Sequence, residues 1–555
     1  MKKYRWQLLI ILLAGILLGV LILTRPPDQV TGDLAPQKGG TYSEGLVGGF
    51  QRLNPLFDHY NQPDRDVNRL LFNGLVKFDA SGTPQPDLAS AWGYSLDGLT
   101  YNFALREDVY WHDGTQFNVD DVIFTIDKMK EDDSIIPSDI KSFWQEIKIN
   151  RLSDFNLQFI LPEPFAPFLD YLTFGILPKH LLDGKSFIEI QESAFNLQPV
   201  GTGPYMLDHL IVDNNQITGV VLAANEKYFE GAPYIEEITF KYYPTSQDMY
   251  TAFLEGEIQG LSRVTGDFLA EVLQDPQVAV YTGRRPELSV VLLNQNDPAV
   301  DFLQDVNVRQ ALMLGINRSI IVNQLLAGQA IPADSPLFPG TWAYFSSSPI
   351  TFDADQAVSK LKEAKYLFTA DSGNIRAKDG KLLSFTMLYP DDDIHRKIAE
   401  AIQADWVRIG VDVQIQALPY EELIDQRLVK RDFQAALVDM NMARTPDPDP
   451  YPFWDQAQAT GGQNYSQWDN RVASEYIEQA RITNDIGERT RLYHNFQVVF
   501  REEMPALLLY YPVYTYAIRG DVNGVQMGPL YDPSDRLAGI RNWFLLVQRN
   551  VQSAP

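Results

Sequence analysis

The chain has 555 residues, of which 45% are hydrophobic and 21% charged; this supplies several buried cores and excludes a disordered chain. The formal net charge of −26 repels nucleic acid and anionic headgroups, which excludes a nucleic-acid-binding role. With no cysteine, disulfides, thiolate metal sites, a cysteine nucleophile and a lipid-modified N-terminal cysteine are all excluded.

Lys2, Lys3 and Arg5 precede an apolar run over 6–23 that only Gln7 interrupts and Arg25-Pro26-Pro27 ends. The run just reaches bilayer-spanning length, and its basic flank keeps the N-terminal end in the cytoplasm. No Ala-x-Ala-like cleavage pattern follows, which favours a retained anchor over a cleaved signal. Residues 1–25 are therefore read as a transmembrane anchor or signal. Residues 26–40, rich in Pro, Gly and Asp, read as a linker to an exported body.

The stretch LREDVYWHDGTQFNVDDVIFTIDKM (105–129) concentrates His112, Asp113, Asp120 and Asp121 and tests whether the chain is an enzyme. Asp113-Gly114 is a turn pair. Asn118 is placed to cap a helix, with Asp121 as the third helical residue of a capping box and Phe117 and Val122 as a hydrophobic staple. Asp120 and Asp121 sit at the positive end of the helix dipole. The histidines at 59, 112, 180, 209, 395 and 494 show no ligand-pair spacing, so no metal site is expected. GTGPYM (201–206) keeps two glycines of a dinucleotide fingerprint, but Pro204 and Tyr205 block phosphate approach, and it reads as a turn into a strand. No serine-nucleophile elbow or phosphate-binding loop is present, and no carboxylate pair stands out.

Farther along, 305–328 holds two short helical patterns that meet at Asn317 and end at Gly328. A helix over 353–365 starts from an Asp353 cap. In 394–417, apolar residues recur at helical spacing to Ile409, Gly410 ends the helix, and Val411, Val413, Ile415 and Ala417 alternate as a strand. Helix, glycine and strand make an α/β unit. The apolar runs at 288–293 and 506–511 read as paired strands crossing between two lobes.

Six segments together, PDLASAWGYSLDGLTYNFALREDVYWHDGTQFNVDDVIFTID (86–127), LPKHLL (177–182), PVGTGPYML (199–207), NEKYFEGAPYIEEITFKYY (225–243), DVNVRQALMLGINRSIIV (305–322) and DPDPYPFWDQAQATGGQNYSQWDN (447–470), resemble the peptide/nickel/oligopeptide-binding family of ABC-importer solute-binding proteins (extracellular family 5). The resemblance implies an α/β, two-lobe, type II-like periplasmic-binding-protein clamp with an extra inserted domain, behind the N-terminal transmembrane helix. Lobe I would comprise 36–76, 196–286 and 515–555, the inserted domain 77–195, and lobe II 287–514. The implied function is non-enzymatic capture of a peptide-like or related small solute by a monomer, without cofactor or metal, for delivery to an ABC permease and ATPase complex outside the cytoplasm. An exported hydrolase and a membrane-tethered ligand sensor are the alternatives.

The loop MARTPDPDPYPFWDQAQATGGQNYSQWDN sets aromatics beside polar groups and suits a ligand wall; its candidates are Asp447, Asp449, Trp454, Asn464 and Tyr465. In peptide-binding relatives a carboxylate in this segment holds the ligand's amino group. The matching position here is Arg444, which suits a carboxylate or phosphate instead, with Asp447 or Asp449 as alternative amine contacts. Asn294 follows the first crossing strand, Phe50 lies in a Gly-rich loop beside Tyr42 and Asn54, and Trp342 lies in FPGTWAYF.

Overall fold

The structure, a computed structural model, describes residues 34–131, 138–442, 447–528 and 530–549. The anchor expected over 1–25 lies outside them. Among the described residues no helix is long and apolar enough to cross a membrane.

Helix ends form where local chemistry specifies them. The Asn118 side chain accepts the Asp120 N–H and the Asp121 carboxylate accepts the Asn118 N–H, so a capping box opens the helix Val119–Lys130. Phe117 and Val122, the staple pair, are both fully buried. Asp121 also accepts the Trp111 indole N–H at 3.3 Å and the Lys179 N–H at 2.9 Å. The helices read within 305–328 and 353–365 are Val306–Leu314, Arg318–Ile320 and Ala354–Glu363, capped by Asp305, Asn317 and Asp353. The helix Asp393–Arg408 begins at the Asp392 cap and buries Ile398, Ile402 and Trp406. Gly410 follows at φ 83°, which glycine adopts without steric cost.

His112 and GTGPYM prove to be one structural joint. His112 Nδ1 accepts the Gly201 N–H at 3.1 Å, and its Nε2 lies 3.1 Å from the Gly203 carbonyl oxygen. Burial lowers the His112 pKa to about 4. A Cβ at Gly201 would come within 1.8 Å of the Leu71 carbonyl, and one at Gly203 within 2.2 Å of the Leu70 carbonyl. The glycines thus let this loop lie directly on the end of the helix Gln62–Leu71.

The main sheet has twelve strands: β1 (Thr41–Val47), β2 (Tyr205–Asp213), β3 (Gln216–Ala224), β4 (Glu237–Tyr243), β5 (Gly260–Leu261), β6 (Val278–Arg284), β7 (Glu287–Leu293), β8 (Ala330–Pro332), β9 (Ser384–Pro390), β10 (Asp412–Leu418), β11 (Ala435–Asn441) and β12 (Ala506–Arg519). Their order is β10-β9-β11-β7-β12-β5-β1-β4-β3-β2, with β6 and β8 also paired to β12. Around β7, alternate residues enter opposite cores: Val291 and Leu293 join one, and Leu288, Val290 and Leu292 the other. Both faces of this half are therefore covered, which is why its strands read as unbroken apolar runs. A separate four-stranded antiparallel sheet, Ala89–Tyr94, Thr100–Leu105, Asn156–Ile160 and Lys148–Arg151, shares a core with β1, β3 and β4.

The two halves of the main sheet meet at a crossing. β6 and β7 both run antiparallel to β12, with Arg284 opposite Val513 and Ser289 opposite Tyr510. The Arg285 N–H to the Pro512 carbonyl, 3.3 Å, bridges the two stretches. Two adjacent extended segments thus carry the chain between β1–β5 on one side and β9–β11 on the other.

Candidate functional site

The carboxyl ends of parallel strands from both halves converge on this crossing. β1 is parallel to β4 and β5, and β9 is parallel to β11. β5 ends at Leu261, and Val264 just beyond it donates to the Thr515 carbonyl at 2.8 Å. β11 ends at Asn441, opposite Glu287 where β7 begins. In open α/β sheets such a junction of strand ends is where a crevice forms and a ligand binds.

A polar strip lines the junction. On the β9–β11 side, His395 lies between Asp392 and Asp439: Nδ1 is 2.6 Å from Asp392 Oδ2, and Nε2 is 3.3 Å from Asp439 Oδ2, off the hydrogen-bonding direction. Burial pulls the His395 pKa down, but Asp439 and then Asp392 outweigh it and hold it above the ordinary histidine value. At the centre Arg285 pairs with Glu287. Burial holds the Glu287 carboxyl above its usual range; Arg285 and Arg263 oppose this and Asp439 adds to it. On the β1–β5 side stands the exposed Arg263. The strip therefore runs from negative to positive across the crossing and complements a solute bearing both signs.

A second contact between the halves lies at their rim. The Tyr101 hydroxyl donates to Asn484 Oδ1 at 2.8 Å, the Trp342 N–H to the Ser81 carbonyl at 3.0 Å, and the Asp447 N–H to Asp170 Oδ2 at 2.6 Å. They enclose a cavity of about 70 Å³ lined in part by Asp170, Trp342, Asp447 and Arg489. A larger cavity, about 510 Å³, lies between the helices Ala354–Glu363 and Ile486–Glu503. Its walls come from one half alone, so closure of the halves does not act on it, and the crossing, where strand ends and charges from both halves meet, is the better candidate.

The residues expected to line a ligand separate into three groups. Trp342 and Asp447 do meet: Arg489 grips Asp447 at 2.6 and 2.9 Å and stacks 4.9 Å over the Trp342 ring. Asp449 pairs with Arg481 at 3.0 Å, and that guanidinium spans the rings of Tyr451 and Phe165. Phe50 is half-buried in the loop after β1. Asn294, Asn464, Trp454 and Tyr465 make contacts within their own half. Asn294 donates to the Arg431 and Phe433 carbonyls, and Asn464 to those of Asp455 and Trp468. Trp454 packs edge-on against Phe500, and Tyr465 lies under Arg431 at 4.8 Å. A Pro-rich loop of aromatics and amides is equally what ties a long connection to its core. Arg444 lies outside the described residues. Sequence reading missed Arg263, Arg285, Glu287, His395 and Asp439. The cap-to-histidine spacing Asp392…His395 was the one local signal, and the other partners lie at strand ends far apart in the chain.

Residues 83–463 match the model of bacterial extracellular solute-binding proteins, family 5 Middle. The chain belongs to this family. Members are substrate-binding proteins, so it is not an enzyme. It is 28% identical over 483 residues to the dipeptide-binding protein of Escherichia coli (strain K12), covering 83% of this chain and 87% of that one. Its fold is similar to that of the oligopeptide-binding protein AppA from Bacillus subtilis in complex with a nonapeptide, with TM-score 0.65 and 25% identity over 92% of this chain and 100% of that one. HbpA2 from Haemophilus parasuis shares the fold at TM-score 0.78 and 23% identity, covering 88% and 97% of the two chains. These neighbours are two-lobe α/β binding proteins, and this chain has that fold.

Proposed function

We propose that the chain captures a peptide-like or related small solute at the strand crossing and delivers it to an ABC permease and ATPase complex. The convergence of strand ends from both halves on a polar, two-signed strip carries this reading. The dipeptide- and nonapeptide-binding relatives support the solute class. The proposed lobes are 36–76 with 196–286 and 515–555 for the first, and 287–514 for the second, with 77–195 inserted in the first. A solute touching both strip ends favours the closed arrangement and shifts the population towards it. The 1–25 segment, acting as a membrane anchor, would hold the monomeric receptor near its permease and raise its effective concentration there.

Phe50, Trp342, Asp447, Asp449 and Arg444 remain proposed contacts or supports of the closed form. Asp447 and Asp449 act through their arginine partners. The test is a thermal-shift screen of the full chain against di- to pentapeptides, followed by X-ray scattering with the strongest binder. A native-state ligand raises the melting temperature, and closure shrinks the radius of gyration. No melting shift with any peptide, or a shift with an unchanged scattering profile, refutes the reading.

A further inference from the structure

Arg263 lies beside the crossing, exposed on its β1–β5 side. Among the described residues it has neither a hydrogen bond nor an ion pair. Its neighbours are committed: Arg285 to Glu287, and Arg536 to Glu44 and Asp66. Its N–H donors are exposed to water and so are open to an acceptor on a solute. Arg263 is also not loosely placed. The backbone on either side is fixed, since Ser262 donates to the Gly45 carbonyl and accepts the Tyr514 hydroxyl, while Val264 donates to the Thr515 carbonyl.

The surroundings say what would complete it. The side chain is open to water yet walled by protein, and its pKa is lowered first by desolvation and then by the like charge of Arg285, with only weak compensation from Tyr514 and Glu287. An anion placed there relieves both effects, and a planar carboxylate matches the guanidinium fork with two parallel hydrogen bonds. Asp439 and Asp392 supply the opposite sign across the crossing, where the solute's cationic end fits.

We propose that Arg263 is a specificity-determining residue that receives a carboxylate of the captured solute from the β1–β5 side of the crossing. This rests on the capture reading above. The carboxylate is either the peptide's terminus or an acidic side chain, and the test separates the two.

Alanine peptides of two to five residues are titrated calorimetrically into the full chain in three forms: free acid, C-terminal amide, and amide with a glutamate at the last position. For the length that binds tightest, amidation should weaken binding roughly tenfold or more, as loss of a charge-assisted pair does. If the side chain can serve, the glutamate amide regains that loss. In Arg263→Ala and Arg263→Gln the acid should fall to the amide's affinity, the amide should be unchanged, and Arg263→Lys should recover part of the difference. Melting curves of the variants should match the wild type, because Arg263 makes no internal bond. An amidation penalty that survives in both Arg263 variants, or none in the wild type, overturns this inference and leaves solute capture standing. If no form of any length binds the wild type, the capture reading falls and takes this inference with it.

Discussion

At the scale of single residues, the β1–β5 half of the molecule stores ionised groups in its interior. Arg536, 1% exposed, bonds both Glu44 and Asp66, and Tyr42 and Tyr516 both donate to Glu44. Paired charges of this kind survive burial only when their bonds are complete. None of it was legible in the sequence, because the partners lie up to 492 positions apart. Asp58 is less well compensated. Its carboxylate accepts the Asn68 amide at 2.8 Å, while Arg65 donates to the Asp58 carbonyl rather than to the carboxylate, and burial raises its pKa to about 7. Unfolded, the same carboxyl releases its proton near pH 3.9, so between about pH 4 and 7 the native state holds the extra proton. Stability from this group is therefore full below that window and is lost as pH rises through it. Asp58→Asn keeps an oxygen for the Asn68 amide and removes the titration. It should raise the melting temperature at pH 8, with an upper limit of about 4 kcal/mol from the three-unit shift, and leave it unchanged at pH 4. Melting curves at both pH values check this; an equal effect at pH 4 and pH 8 would show that charge is not the cause.

At the scale of elements, what the sequence disclosed was what is decided within one turn. The Asn118 cap, the Asp353 cap and the Gly410 stop each depend on neighbours a few residues away, and each forms. The GTGPYM turn was also legible, but its reason was not: the glycines yield to the end of a helix well over a hundred positions earlier. Pairing of β7 with β12 was expected from two apolar runs, whereas the β11 partner and the Asp439 it carries to His395 were not. The capping box gives a graded test. Asn118→Ala should cost about 1 kcal/mol, the usual value for an N-cap. Asp121→Ala should cost about 2–3 kcal/mol, since it also strands the Trp111 indole and Lys179 amide donors in a buried site. Denaturant unfolding of both variants checks the order; equal losses would mean that Asp121 acts through the cap alone.

At the scale of the whole molecule, function depends on how readily the two sides of the crossing part. Among the described residues, the segments 278–293 and 506–519 carry the main chain across it. The rim contacts of Tyr101 with Asn484 and of Asp170 with Asp447 therefore weigh heavily in setting the closed population. Both pairs are protein–protein bonds that a solute does not replace, so they bias closure before any solute arrives. Apparent affinity scales with the fraction already competent to bind. Tyr101→Phe combined with Asp170→Ala removes the hydroxyl donor and the carboxylate acceptor while leaving the crossing untouched. The solute-free double variant should show a radius of gyration larger by roughly 1 Å, as hinge opening requires, and a weaker peptide affinity by the factor in which the closed fraction falls. Saturating peptide should restore the compact scattering profile. A variant that scatters and binds like the wild type would mean that closure is set by the crossing strands themselves, with the rim bonds forming only as a consequence.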